Sequence, residues 1–318
     1  MAGDDDCPVV VLGAGSIGLS FAAVLAEAGH GVTLVEPDAA RRDSVAEGLA
    51  VQREAMALAG LIRSPGAGEA GEITVVADAA LHLANAGLII ECGPERLEVK
   101  QAIFANLLRQ SGPQTVLATA SSAIPMSRIL PAEADQARAL VAHPVNPPAV
   151  LRLIELCPAP GTQAETVDRA AAIFAGAGFA AVRLGHEVEG FVLNRLQGAV
   201  LREAYRLVAE GVTDVAGVEA VMRMGLGPRW ALSGPFETAE LNTPGGIRAH
   251  AARMGPAYAR MGAERGETAD WNDDLVSRVE AERRAAVAAD MLPARAGWRA
   301  RAVARLVAIR DQLLEERP

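Results

Sequence analysis

The chain has 318 residues, 51% of them hydrophobic, with 30 basic against 39 acidic side chains and a formal net charge of −9. This is long and apolar enough for two packed domains and unlike a disordered composition. It also disfavours nucleic acid as a partner, because phosphate binding needs a basic surface and no basic stripe is visible.

The amino terminus, MAGDDDCPVV, has aspartates where a secretory signal would have lysine or arginine, so a cytoplasmic protein is expected. No stretch reaches the roughly 18 uninterrupted apolar residues of a membrane helix. Cys7, Cys92 and Cys157 are too few and too scattered for a disulfide framework or a zinc site, and no metal is expected.

In chain order, PVVVL (8–12), GVTLV (31–35), EITVV (72–76), GLIIE (87–91), QTVLA (114–118) and ALVAH (139–143) read as strands. Helical patterns lie between them: SIGLSFAAVLAEAG, a long stretch from Asp38 to about Arg63, and PERLEVKQAIFANLLRQ. SPGAGEAG (64–71) reads as a loop. After LRLIELC (151–157) and one more α/β unit ending near AAVRLG, only helices follow. Leu193, Leu196, Val200, Ala204 and Leu207 mark the stripe of a long amphipathic helix beginning near Gly190. The expected fold class is α/β: a Rossmann-type domain with a mostly parallel sheet over 1–189, then an all-helical domain over 190–318.

Gly13-x-Gly15-x-x-Gly18 follows the first strand and opens a helix, which turns a weak motif into a specific one. Gly13 permits the tight turn, Gly15 the approach of a pyrophosphate, and Gly18 close helix–strand packing. The amides of Ser16 and Ile17 at the helix start then face the phosphates. Glu36 ends the next strand, where a carboxylate accepts the adenosine ribose hydroxyls and repels a 2′-phosphate, so NAD is expected over NADP. Asp38 adds to that bias, and Arg41 and Arg42 read as solvated. FAD shares the fingerprint, but no second flavin motif accompanies it.

HPVNPP (143–148) closes the sixth strand, so the imidazole of His143 emerges at a strand's carboxyl end, where open α/β sheets bind ligands. Among five histidines, His30 sits in a turn, His82 in a helical pattern, and His186 and His250 among charged neighbours. Only His143 is stiffened by Pro144, Pro147 and Pro148. An ordinary histidine pKa of about 6.5 suits a general base. Glu155, in the strand leaving the loop, is placed to orient it; a buried histidine with a surface glutamate fits the same spacing.

ECGPERLEVKQAIFANL, VAHPVNPPAVLRLIELCP, GFVLNRLQ and GLGPRWALSGPFET together resemble the 3-hydroxyacyl-CoA dehydrogenase superfamily, most closely its L-gulonate 3-dehydrogenase and lambda-crystallin group. The resemblance covers nearly the whole chain. It implies His143 as catalytic base with Glu155, Ser122 as donor to the substrate oxygen, and Asn194 as a substrate-holding residue. Ser121 is the fallback for Ser122, because ATASSAIP has alanine where relatives have threonine or asparagine. Asn146 is implied at the nicotinamide end, with Glu95 and Lys100, the only lysine of the chain, at the cofactor. The implied reaction is reversible oxidation of a secondary alcohol at carbon 3 of an acid.

Acyl-CoA members of that superfamily insert a long basic hairpin between the second and third strands; here residues 46–72 are shorter and hold only Arg53 and Arg63. Arg229 lies instead in a lengthened segment of the helical part, and a guanidinium suits a free carboxylate. A small polar 3-hydroxy acid resembling L-gulonate is therefore expected. A CoA thioester, or a crystallin-like structural role, are the competing readings. The resemblance also implies a homodimer.

Overall fold

The computed structural model describes residues 7–62, 70–231, 234–243, 246–265 and 288–316, with the single positions 274, 277, 281 and 285. Most of the SPGAGEAG segment, and Arg63, lie outside the described residues.

Eight strands form one sheet in the order β3-β2-β1-β4-β5-β6-β7-β8: β1 Val9–Leu12, β2 Val32–Val35, β3 Ile73–Val76, β4 Leu88–Glu91, β5 Val116–Thr119, β6 Ala139–Pro144, β7 Leu153–Pro158 and β8 Ala180–Arg183. Every neighbouring pair is parallel except β6 with β7. Strand order reverses between β1 and β4, and that switch point opens the crevice in which such sheets bind ligands.

The inner strands read as continuous apolar runs because both sheet faces are covered there, while the edge strands β3 and β8 are partly exposed. Val9 and Val11 point to one side, where α1 (Ser16–Glu27), a later helix and the segment after it bring Phe21, Phe174 and Phe179 together with ring centroids 5.8 to 6.0 Å apart. Val10 points to the other side and joins Ile89, Leu117, Phe104 and Leu107. Each such burial contributes roughly 1.5–3 kcal/mol.

The single helix expected from Asp38 is two. Asp38 caps α2 (Ala39–Asp43) through the Arg41 amide at 2.9 Å, and the Ser44 hydroxyl turns back onto the Arg41 carbonyl at 2.9 Å, closing that helix before α3 (Val45–Leu58) begins. Serine and aspartate compete with the helix ladder in this way. His82, expected in a helix, lies in a turn segment 3.4 Å from the Thr33 hydroxyl. The remaining helices of this part are α4 (Leu97–Gln110), α5 (Met126–Ile129) and α6 (Ala164–Gly176).

The chain divides into two compact units, Met1–Arg195 with Ala300–Ala308, and Leu196–Arg299 with Ile309–Pro318. Helix α7 (Leu193–Ala209) therefore begins in the first unit and continues in the second. The final helix, Leu292–Glu315, returns Ala304 and Val307 to the first unit, packed with Ala59 and Val150. No described helix is long and apolar enough to cross a membrane.

Candidate active site

The loop between β1 and α1 divides its labour among three glycines. Gly13 has φ +103, and a Cβ there would stand 3.1 Å from the Cys92 carbonyl oxygen. A Cβ on Gly18 would lie 1.9 Å from the Gly13 carbonyl oxygen, so only glycine lets α1 cross this close. A Cβ on Gly15 would meet nothing within 4 Å: that position faces open space at the helix start, where the amides of Ser16 and Ile17 emerge. A cavity of about 750 Å³ opens beside it, lined by Gly13, Gly15, Glu36, Asp78, Gly93 and Asn106 among others. Its size and its glycine floor fit the adenosine diphosphate part of a dinucleotide.

Glu36 ends β2 at the rim of this cavity, with only 5% of its surface exposed. One carboxylate oxygen accepts the Ala14 amide at 3.1 Å and the other the Asp38 amide at 3.0 Å, which fixes the negative charge between the phosphate loop and the ribose side. Of the two arginines behind it, Arg41 is exposed, as expected, while Arg42 is half-buried. Arg42 donates to the carbonyls of Glu36 and Pro37 at 2.8 and 2.7 Å, and Arg41 lines the cavity.

Beyond the cavity lies a buried charge cluster that begins at the end of β4. Glu91 is fully enclosed and accepts from the Thr119 hydroxyl at 2.6 Å, the Gly93 amide at 2.7 Å and Lys100 Nζ at 2.8 and 3.1 Å. Lys100 Nζ also lies 3.4 Å from Glu95 Oε2. The ammonium thus sits among three carboxylate oxygens, with 1% of its side chain exposed. Glu95 Oε1 in turn accepts from the Ser121 hydroxyl at 2.6 Å and from the amides of Ser122 and Ala123 at 3.0 and 3.1 Å. Partial burial alone would raise the Glu95 pKa; the Ser121 hydroxyl, the Lys100 ammonium and the Ala123 amide outweigh it and hold this carboxyl below its ordinary value.

That arrangement separates the two serines. Ser121 is buried, and its oxygen also receives the Ile124 amide at 2.8 Å, so it builds the turn. Ser122 is exposed, with its hydroxyl 3.4 Å from Glu95.

The antiparallel pairing of β6 and β7 sets His143 directly opposite Glu155. Directly opposed side chains share a sheet face, so a separation of twelve residues becomes a contact. His143 Nδ1 donates to Glu155 Oε2 at 2.8 Å, and both groups are almost fully buried. The other oxygen of Glu155 accepts the amides of Val192 and Leu193, at 2.8 and 3.0 Å, where α7 begins. Two residues into α7, Asn194 Nδ2 donates to the Ser122 carbonyl at 2.8 Å. A continuous set of hydrogen bonds thus joins Glu95, Ser122, Asn194 and the start of α7 to Glu155 and His143.

Asn146 is exposed and precedes Pro147 through a cis peptide bond. Arg229 belongs to the second unit, in the helical turn Gly227–Trp230, where its Nε donates to the Gly225 carbonyl at 3.2 Å. That turn follows a π-helical segment, Val221–Leu226, a geometry often found at functional sites.

Glu91, Thr119 and Phe191 escaped the sequence reading. A signal existed for Glu91: like Glu36, it is an acid ending an otherwise apolar strand. Phe191 gave none, because its backbone conformation is not written in its side chain.

Sequence models described as the 3-hydroxyacyl-CoA dehydrogenase NAD binding domain and C-terminal domain match residues 8–188 and 190–286. The chain is 35% identical over 315 residues to the lambda-crystallin homolog of Bos taurus, covering 96% of each chain. It is 36% identical over 251 residues to L-carnitine dehydrogenase of Streptomyces griseus, covering 78% of this chain and 73% of that one. A solved NAD+-dependent dismutase, a 5-dehydrogenase of a formyl-hydroxy-methylpyridine carboxylic acid, superposes with a TM-score of 0.82 over 98% of this chain and 99% of that chain. At 23% identity that likeness concerns the fold.

Proposed function

The chain belongs to the 3-hydroxyacyl-CoA dehydrogenase family, whose NAD-dependent oxidoreductases act on hydroxyl groups, and from that premise we propose that it oxidises the 3-hydroxyl of a small polar free acid, L-gulonate or a close relative, to the 3-keto acid. The observation that carries the chemistry is the 2.8 Å contact of His143 Nδ1 with Glu155 at the carboxyl end of β6.

With its Nδ1 proton held by Glu155, neutral His143 keeps the lone pair on Nε2, and that nitrogen takes the proton of the substrate hydroxyl. The imidazolium so formed sits against a carboxylate, which stabilises it. NAD held at the Gly13–Gly18 loop and Glu36 would supply the hydride acceptor for carbon 3. Ser122 donates its hydroxyl to the oxygen that becomes the carbonyl, and Asn194 holds the substrate beside it. Asn146 serves the nicotinamide end, and Arg229 grips the free carboxylate through paired hydrogen bonds.

A free acid is favoured over a CoA thioester because the segment between β2 and β3 carries few cations; L-carnitine, named in one relative, is itself a free 3-hydroxy acid. The enzyme is read as a cytoplasmic homodimer. A panel of free 3-hydroxy acids beside their CoA thioesters, followed by NADH absorbance, tests the substrate class. Turnover of free acids is expected, and Arg229→Leu raises their KM with little change in kcat. Preference for the thioesters overturns the substrate reading. No NAD binding by calorimetry would instead favour the structural role that the lambda-crystallin name suggests.

A further inference from the structure

We propose that Phe191 is a positioning residue for the His143–Glu155 pair, acting at once through its ring and through the turn it forms; the inference rests on the reading of that pair as the catalytic base. Among the described residues Phe191 is the one non-glycine residue at positive φ, at +51, directly after Gly190 at +76. A bulky side chain adopts this conformation at a steric cost, and it persists where the surroundings over-determine it.

Two sets of contacts do so here. The side chain has no exposed surface and packs in the core cluster that holds Leu117, Met126, Val141 and Cys157. On one side its ring lies against His143, with centroids 5.2 Å apart and planes inclined by 42°. The backbone does the rest. The Phe191 amide donates to the Val188 carbonyl at 3.1 Å, and the left-handed step then turns the chain so that the next two amides converge on Glu155 Oε1. Glu155 is left with Oε2 for the imidazole. A single residue therefore limits the tilt of the base from one side and locks its carboxylate partner from the other.

Two substitutions at this position each remove the ring face, by different routes. Glycine takes the turn without strain but has no ring. Leucine restores apolar volume but offers no flat face and meets the same strain in the left-handed region.

The test uses Phe191→Gly and Phe191→Leu in the full chain, with kcat, KM, the NAD dissociation constant and amide hydrogen exchange at Val192 and Leu193. Both variants are expected to lose tenfold or more in kcat while KM and NAD affinity stay within twofold, because the cofactor cavity does not include Phe191. Exchange at Val192 and Leu193 is expected to accelerate in both, measured without substrate. In a Glu155→Gln background, Phe191→Leu is expected to lower kcat by less than a further twofold, since residues acting as a unit are not additive. Undiminished kcat, unchanged exchange at the two amides, or fully additive losses would overturn the proposal. If the wild-type protein turns over neither free acids nor thioesters, the enzymatic reading fails on its own, and the exchange measurement still decides whether Phe191 holds Glu155.

Discussion

Lys100 exposes 1% of its side chain, hydrogen-bonds both oxygens of Glu91 and lies 3.4 Å from an oxygen of Glu95. Removing one partner of a buried pair leaves an uncompensated charge, at a cost of about 3–5 kcal/mol. Lys100→Met should therefore lower unfolding stability by about that much in a urea titration. Glu91→Gln combined with Lys100→Met should recover a large part of the loss, since the one fully enclosed carboxylate of the cluster is then no longer charged. Lys100→Arg is not benign in so closed a space: forcing in the larger planar fork should cost about 1–3 kcal/mol. Any weakening of NAD binding in that variant would then arrive through displaced Glu95. Glu95 itself makes stability depend on pH. Its pKa is depressed in the folded protein, so the stabilisation is present above the ordinary carboxylate pKa and is lost as pH falls through the folded value. From about pH 4.5 downward the wild type should lose Tm more steeply than Glu95→Gln. Parallel acid limbs for the two proteins would show that Glu95 contributes nothing through its charge.

At the level of elements, the turn from β1 into α1 gives two neighbouring glycines opposite fates on substitution. Gly15 has an ordinary φ of −72 and open space at its Cβ position, so Gly15→Ala should fold with unchanged Tm and still lose tenfold or more in NAD affinity, because the methyl group fills the pyrophosphate's approach. Gly18→Ala would set a methyl group 1.9 Å from a backbone oxygen, so there the Tm itself should fall. Calorimetry of NAD binding beside thermal melts separates the two outcomes. Much of this geometry was readable from periodicity and motif: the strands of the first half, the phosphate loop and Glu36 follow from local signals alone. The break of the expected helix at Ser44 was not, because a serine inside a helical pattern can either continue the helix or bend its hydroxyl back onto a carbonyl. The His143–Glu155 contact was half legible. Spacing suggests a pair, but only the antiparallel turn of β7 against β6, in a sheet otherwise parallel, sets the two side chains opposite each other. The cluster at Glu91 was hidden for a similar reason: its partners come from α4 and from the end of β5, and sequence distance says nothing of their meeting.

For the molecule as a whole, the unsettled apolar surface lies in the second unit. The stripe predicted for α7 is only partly covered in a single chain, with Leu196 58% exposed, and Met224 and Phe236 are 80% and 79% exposed. Isolated exposed apolar side chains are common, and several large ones on the helices of one unit are where we propose that another chain associates. A second copy of the chain is the partner the family resemblance implies. Two copies each carry a net charge of −9, so their long-range repulsion opposes association and salt should relieve it. Sedimentation velocity at micromolar concentration should therefore give twice the mass of one chain, with the dimer tightening as salt rises. Leu196→Glu together with Phe236→Glu should shift the population toward monomer by burying charge in an apolar contact, while leaving NAD affinity intact because the cofactor cavity is built wholly from the first unit. A wild-type monomer at micromolar concentration would overturn the homodimer. A dimer indifferent to both substitutions would move the interface to another face.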